Sequence, residues 1–536
     1  MFFINLFKPE RMLKVYFVFY IDCLTDVVKA IRKAGCLHLT DIKKEMPNLK
    51  PLETWESRVM ECINKLENLN SLFLRERLQL KERLLGPRHI PLKIISEFPE
   101  LEEIEARIKT LENDFKELKS EKEKFEKELN KIEFELKDTG DFKRRSYLKN
   151  LIDENKRKIK NIDMKLKTLG KKANREILFY NDILKNMLIT EKAMKNFGRT
   201  EYVCAVSGWI PQNDADKIER ILKKSCDTSF FYDRKPYEDE EPPIKLKNPA
   251  FLKPFEILTT TYGYPAYRGI DPTPLVALSF TLMFGIMFAD IGYGISLTLL
   301  SLVIYLATTK KDQVMHSLNL ILMYAGISSF IFGFVFGEFF GGILKVTSYV
   351  GEIEKDISSL FILSLALGFV HISLSLISRI ITEYKSRESL YPVSLLLILL
   401  SALFFYSGYT AAGFLIMIPG LVLLFYMKGF GSFEEVISLF TNILSYIRIG
   451  ALASMHIIFT GIFTMIILSL PRTITGIITG AVLFLLGSAI ILASSTFIVF
   501  IHSLRLHWVE FFRRFYSSMG ERYKPFRQES YYVYEV

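Results

Sequence analysis

Nowhere does the chain read G-x-x-x-x-G-K-[S/T], so the backbone cradle that a P-loop hydrolase places around nucleotide phosphates is missing. A self-contained ATPase is excluded, and no cofactor is expected. Cysteine is scarce. The five present, Cys23, Cys36, Cys62, Cys204 and Cys226, all fall in the polar half of the chain, and none has the C-x-x-C spacing of a metal centre. They read as reduced thiols facing the cytosol, and no metal is expected. A small-residue cleavage site is also lacking near the start, where Lys8, Glu10, Arg11 and Lys14 surround the apolar run. A secretory leader is therefore not expected, and the N-terminal half should stay in the cytoplasm. The largest shortage is of charge: residues 275–510 are poor in it, and most of what they have is confined to a few short segments between long apolar stretches, which rules out an ordinary soluble domain there.

Half of the 536 residues are hydrophobic, 44 of them Phe, and the mean hydropathy is +0.21. These values fit a membrane protein. The net charge of +10 could suggest nucleic acid. Its Lys and Arg, however, alternate with Glu and Asp along the helices of residues 50–200 and form no aromatic-flanked patch, so nucleic-acid binding is not expected. Two regions with different solvents follow: a cytoplasmic domain over 1–250 and a transmembrane domain over 251–536.

Residues 12–20 read as a strand, 23–34 as a helix and 35–41 as a second strand; the same unit returns as 201–211, 212–224 and 228–233. The two halves, 1–45 and 200–235, predict one split ferredoxin-like α+β lobe interrupted by a long insertion. That insertion, 50–198, is of coiled-coil type. Ile104, Ile108, Leu111, Phe115 and Leu118, then Phe125, Leu129, Ile132 and Leu136, alternate at three and four, broken once at Lys122. A turn signal at Asp138-Thr139-Gly140-Asp141 precedes a second stripe of Leu148, Ile152, Ile159, Ile162, Leu166 and Leu169. This predicts an antiparallel arm roughly 50–60 Å long, with an earlier helix carrying Trp55, Val59, Cys62, Leu66, Leu69 and Phe73 packed beside it. Heptads alone do not fix a partner, and a homodimeric coiled coil would share the pattern.

Apolar stretches occur at 275–307, 315–340, 358–382, 393–409, 411–427, 435–470 and 476–512. Seven single spans would leave Lys310, Lys311, Arg379, Lys385 and Arg387 outside and the acidic loop 352–356 inside, against the positive-inside tendency. Folding the first stretch into a hairpin at Asp290-Ile291-Gly292-Tyr293-Gly294 inverts every later loop and corrects all of them. The expectation is mainly α: eight transmembrane helices, the last two long and tilted.

Those last two carry the chemistry. Glu434, Ser438, Thr441, Ser445 and Arg448 follow one another at spacings of 4, 3, 4 and 3, with Asn442 beside them, and make one polar stripe on an apolar helix. Leu452 and Met455 continue that face, so the stripe stops at the arginine, as one half of a divided ion path would. An arginine at such depth costs about 2.5–3.5 kcal/mol on insertion scales and needs a partner, which the sequence does not reveal. In the last span His502, Arg505 and His507 interrupt an apolar helix; Arg505 and His507 would also fit side chains that snorkel to the headgroups.

Several motifs at these places resemble one family. Ser445-Tyr446-Ile447-Arg448, His502 through Phe511 (HSLRLHWVEF) with Lys524-Pro525-Phe526, Lys253-Pro254-Phe255-Glu256 through Tyr262-Gly263, Ile270-Asp271-Pro272-Thr273, Phe288-Ala289-Asp290-Ile291-Gly292-Tyr293-Gly294 and Ser207-Gly208-Trp209-Ile210-Pro211 look like the signatures of subunit a of V-type ATPases, called subunit I in archaeal A-type enzymes. The resemblance implies a multi-pass subunit of the cell membrane, a stator that faces a proteolipid rotor ring and is held by peripheral-stalk subunits of the E and G/H type. It implies that Arg448 faces the rotor carboxylates between two offset half-channels, that Arg505 assists, and that Glu434 and His456 lie along the path. The chain departs from the eukaryotic pattern at Ser495, where those relatives carry a glutamate, and in a reduced distal lobe near 86–100. Two other classes compete: a secondary transporter, for which no inverted repeat is visible in the first six spans, and a tether, which would explain the arm but not the membrane arginines.

Overall fold

The computed structural model describes residues 8–75, 93–95, 99–138, 142–308, 312–343, 357–384, 386–528 and 533–535. The expected turn at 139–141, Lys310, Lys311, Lys385, the acidic loop 352–356 and residues 86–92 and 96–98 of the reduced distal lobe lie outside these. The chain forms two compact units, one of Met12–Tyr237 with the tail from Lys524, the other of Glu238–Tyr523 with the stretch up to Arg11. It is mainly helical, with a six-stranded sheet and a separate two-stranded one in the N-terminal unit among the described residues.

In that unit β1 (Met12–Tyr20) and β6 (Val203–Pro211) pair antiparallel over their full lengths, from Met12 opposite Pro211 to Tyr20 opposite Val203. β7 (Phe230–Arg234) covers the other edge of β1, and β2 (His38–Thr40) the other edge of β6. Two short strands, β3 (Lys50–Pro51) and β5 (Gly198–Arg199), extend the β6 edge where the insertion leaves and returns; β4 (Lys93–Ile95) pairs separately with β8 (Val533–Glu535). Each β-α-β half thus holds a strand of the other half between its own two. The alternation in MLKVYFVFY explains which face is covered: Val15, Phe17 and Phe19 are buried with Val27, Val28 and Ile31 of α1 (Leu24–Ala34) and Ile218 and Leu222 of α5 (Ala215–Ser225). Cys23 and Cys226 are joined sulfur to sulfur where the two halves meet. This corrects the expectation of five reduced thiols, because residues 203 apart in sequence are adjacent once the halves interleave.

The insertion is three helices, α2 (Glu56–Arg75), α3 (Leu101–Asp138) and α4 (Phe142–Met194). The α3 positions Ile104, Ile108, Leu111 and Phe115 are buried against Ile162, Leu166, Ile177 and Leu184 of α4 and against Val59, Cys62, Leu66 and Leu69 of α2. Truncating a fully buried position such as Leu66 to Ala should cost about 2–5 kcal/mol. The ion pairs Arg107–Glu176 at 2.8 Å, Lys122–Asp163 at 2.9 Å and Lys156–Glu133 at 3.3 Å climb α3 as they descend α4, so the two run antiparallel. Lys122, the break in the seam, uses its position to reach Asp163. Trp55 is 49% exposed, outside the packed stripe in which it was placed. Burial and the nearby Glu105 carboxylate push the Cys62 thiol up to about 11, so at neutral pH it is a buried, inert hydrophobe.

The second unit is apolar helices. Among the described residues five helical runs are long and apolar enough to cross a membrane, and two shorter apolar helices precede them. The chain is a membrane protein. The short pair are α7 (Thr273–Met287) and α8 (Ile291–Ala307), which follow α6 (Glu256–Tyr262). Both pack on α9 (Gln313–Phe336) in opposite directions: Phe288 lies at Ser329, whereas Ile291 approaches Gly333 and Tyr305 meets His316. The chain reverses at Asp290. Its carboxylate accepts from the N–H groups of Tyr293 at 2.9 Å, Phe340 at 3.1 Å and Gly341 at 3.0 Å, capping α8 and fixing the non-helical 338–342 segment at once. Gly341 must be glycine, with φ +64° and no space for a Cβ against the Thr460 backbone. Next come α10 (Ile357–Glu383), α11 (Leu390–Tyr406) and α12 (Thr410–Lys428).

Candidate functional site

The polar stripe does not lie on one regular α-helix. α13 (Ser432–Leu444) ends before Ser445-Tyr446, and α14 (Ile447–Leu468) restarts one residue ahead of Arg448. The turn between them has an anchor in Tyr446, which is fully buried with its hydroxyl 2.7 Å from Nδ1 of His371 on α10. Ser445 and Tyr446 keep helical dihedrals, and the bonds Tyr446 to Ile443 and Ile449 to Tyr446 span three residues, so Arg448 lies just past a tightened turn within one helical run. Along the stripe, Ser445 and Thr441 bond back to the carbonyls of Thr441 and Ile437, Ser438 and Asn442 are half-buried, and Glu434 and Thr441 are exposed.

The last helix, α15 (Ile474–Arg505), does not simply continue. Leu506–Phe512 is π-helical, a rare geometry that is frequent at functional sites. In a continued α-helix Glu510 would be rotated roughly 140° from Arg505. The wider turns re-aim it. Its Oε1 lies 3.9 Å from Nη1 of Arg448, with the Glu510 side chain 3% exposed and that of Arg448 22%. This corrects the sequence-based view that Arg448 has no evident partner in the chain. The charge of Arg505, itself exposed, is felt at Arg448, Glu510 and His502, so these four groups form one electrostatic cluster. His507 is not a snorkelling side chain. It is buried, with Nδ1 2.7 Å from the Ser503 carbonyl and Nε2 2.7 Å from the Ser279 hydroxyl. Since a carbonyl can only accept, Nδ1 carries the proton in the first bond. His371 stacks on Phe511 at 4.2 Å, and the Trp508 indole donates to the Leu258 carbonyl.

His456 lies apart from that cluster, two turns along α14. It is buried between Phe288 and Tyr293, ring centroids 4.6 and 5.8 Å away, with neither ring nitrogen hydrogen-bonded among the described residues. Ser454, Ser488 and Thr496 carry buried hydroxyl oxygens in the same condition, while Ser495 is half-buried. Glu434 contacts none of these; its neighbour Glu435 is the carboxylate engaged, 3.7 Å from Lys428. Among the described residues no cluster of side chains fits a metal ion.

The two final apolar runs are the least covered. In the most apolar stretch of Thr410–Leu468 only 22% is buried, and in that of Ile474–Phe515 17%, against 39% in the other three spans. Large apolar side chains such as Leu444, Met455, Phe459, Phe497 and Ile501 stand exposed along them.

Comparison with known proteins gives this arrangement a family. The chain is 28% identical to the A-type ATP synthase subunit I of Methanocaldococcus jannaschii over 78% of its own length and 69% of that protein. It is likewise 28% identical to the subunits I of Methanothermobacter thermautotrophicus, covering 75% of this chain and 64% of that one, and of Pyrococcus horikoshii, covering 70% and 61%. The chain thus spans about two thirds of the length of these relatives. The family described as "V-type ATPase 116kDa subunit family" matches residues 132–349 and 428–528, which include the Asp290 reversal and both arginine-bearing helices. With more than half of its residues inside that pattern, the chain belongs to the V-type ATPase 116 kDa subunit family.

Proposed function

We propose that this chain is the membrane stator subunit of an A/V-type rotary ATPase, carrying protons or sodium ions to and from a proteolipid rotor ring. The observation that supports this most is the placement of Arg448: a cation on one of the two least covered apolar runs, between exposed apolar side chains such as Leu444 and Met455. A rotor carboxylate can cross lipid only when neutralised by its ion. Opposite Arg448 its ionised form is favoured, so the ion is released to one half-channel and replaced from the other. Arg448 also blocks cations from leaking directly between them, and Arg505 assists. The inner half-channel follows Glu434, Ser438, Thr441, Asn442 and Ser445, with His502 beside the arginines. The outer one passes the unpaired polar groups of His456, Ser488 and Thr496. Each ion moved down 100 mV supplies about 2.3 kcal/mol, so several must pass per ATP. Nucleotide chemistry belongs to partner subunits.

The cytoplasmic part, 1–250, anchors peripheral stalks of the E and G/H type through its helical arm, and its interleaved sheet is a split ferredoxin-like lobe. Membranes lacking this chain should lose ATP-driven ion uptake, while the catalytic and stalk subunits appear, still hydrolysing ATP, in the soluble fraction. Uptake that persists without it would refute the stator role. We further infer eight spans, α7 to α12, then α13 with α14, then α15, with the N-terminus inside. A cysteine placed at 310 should be labelled only from the cytoplasmic side; labelling from outside would remove one span from the count.

A further inference from the structure

Arg448 has a task in the stator mechanism; Glu510 has none. Yet Glu510 is a carboxylate 2% exposed, and such a group is costly to bury without a partner. Its Oε2 has no hydrogen-bond partner among the described residues, and neither does Nη1 of Arg448. The 3.9 Å between Oε1 and Nη1 is an ion-pair separation but too long for a hydrogen bond. The pair is held by charge and not locked by geometry. Its two members also differ in freedom. Glu510 stands on a π-helical segment fixed on both sides, by His507 on Ser503 and Ser279, by the Trp508 indole on Leu258, and by buried Phe511 and Phe512. Arg448, on a long flexible stem at the more exposed edge, is the member that can move.

We propose that Glu510 is the resident counter-ion of Arg448: it holds the guanidinium between encounters, yields it to an acidic group presented by a partner chain at the open face, and takes it back as that group leaves. The inference rests on the stator reading. Without Glu510 the cluster of Arg448 and Arg505 would be two cations with no internal anion within 4.0 Å among the described residues, and the arginine would release an incoming carboxylate only to solvent. With it, release is an exchange of one carboxylate for another, which costs far less than stranding a buried charge.

The test uses the assembled complex in membrane vesicles, with assembly quantified separately. Glu510→Gln keeps the shape and removes the charge; Glu510→Asp keeps the charge and shortens the side chain. If Glu510 is the counter-ion, Glu510→Gln slows ATP-driven ion uptake and the coupled ATP hydrolysis together by roughly tenfold or more. Glu510→Asp should then be clearly faster than Glu510→Gln. A residue needed only for packing would give the reverse order. The pair is also read without transport: Arg448→Gln strands the buried Glu510 carboxylate and Glu510→Gln the half-buried Arg448, each lowering the assembled yield, and the double variant should assemble better than Arg448→Gln alone. Uptake by Glu510→Gln within twofold of the parent, Glu510→Asp no better than Glu510→Gln, or a double variant no better assembled than Arg448→Gln would each overturn the proposal. If Arg448→Gln itself pumps normally, the stator reading fails and takes this proposal with it. If Arg448→Gln is dead while Glu510→Gln behaves as the parent, only the counter-ion fails.

Discussion

Arg448→Gln is expected to reduce ATP-driven ion uptake at least about a hundredfold, to a level set by leak. In the proposed stator mechanism the cause is electrostatic: glutamine offers hydrogen bonds of similar reach but no charge to favour an ionised rotor carboxylate, so the ion would no longer be released opposite the stator. Assembly should suffer less. Removing one member of a tight buried pair typically costs about 3–5 kcal/mol, but here the separation is 3.9 Å and Arg448 is partly exposed. The stranded carboxylate of Glu510 should therefore lower the assembled yield severalfold without abolishing it. Arg448→Lys keeps a charge but loses the planar fork, and an ammonium is more readily neutralised when desolvated, so it should be severely impaired as well. Arg505→Ala, at an exposed position, should be milder. The measurement is ion uptake into vesicles per assembled complex: normal uptake by Arg448→Gln would remove the basis of the mechanism, and complete loss of assembly would make Arg448 a structural residue.

The second large effect is expected at Asp290. Asp290→Ala should prevent the folded subunit from accumulating, because three buried N–H groups, of Tyr293, Phe340 and Gly341, would lose their acceptor together. Each orphaned donor costs about 1–3 kcal/mol, and the sum is comparable to the whole stability of an ordinary domain. The damage would spread. Phe340 presents its carbonyl to the Thr464 hydroxyl on α14, so the segment that Asp290 holds also seats the helix that begins beside Arg448. Asp290→Asn should fall between, since its one remaining oxygen can serve the Tyr293 and Phe340 donors while the amide repels Gly341. Detergent-solubilised yield and thermal unfolding decide it: Asp290→Ala at parental yield, with an unfolding midpoint within a few degrees, would show that water or backbone shifts satisfy these groups.

What could be read in the sequence follows from the range of the interaction behind it. Periodic burial is local, so the α3 seam from Ile104 to Phe115 and the alternation of Met12–Tyr20 were legible, as was a break near Asp290, where a charge and two glycines interrupt an apolar run. The tightened turn at Ser445-Tyr446 was not legible. Nothing in Ser-Tyr-Ile opposes a regular helix, and the turn depends on Tyr446 reaching His371, 75 residues away. Glu510 was missed as the partner of Arg448 for a related reason: an α-helical wheel points it away from Arg505, and only the π-helical segment turns it back. The joining of Cys23 to Cys226 was hidden by the insertion between them, although the interleaving of the two strand pairs makes it natural. His507, for which a place at the headgroups was one of two readings, is held by Ser279, a residue 228 positions earlier.

The interleaved sheet imposes a timetable on biosynthesis. β1 is bounded by β6 and β7 on its two edges, both of them made about 190–220 residues later. At about 5–20 residues per second, the nascent β1 waits on the order of 10–40 seconds with both edges and its Val15, Phe17 and Phe19 face unsatisfied. During that interval the helical arm, whose contacts are closer in sequence, can close first and bring the ends of the lobe together. A chaperone that shields extended apolar segments would act on this chain early and briefly, between the emergence of Tyr20 and that of Arg234, before the apolar helix that begins at Thr273 is complete.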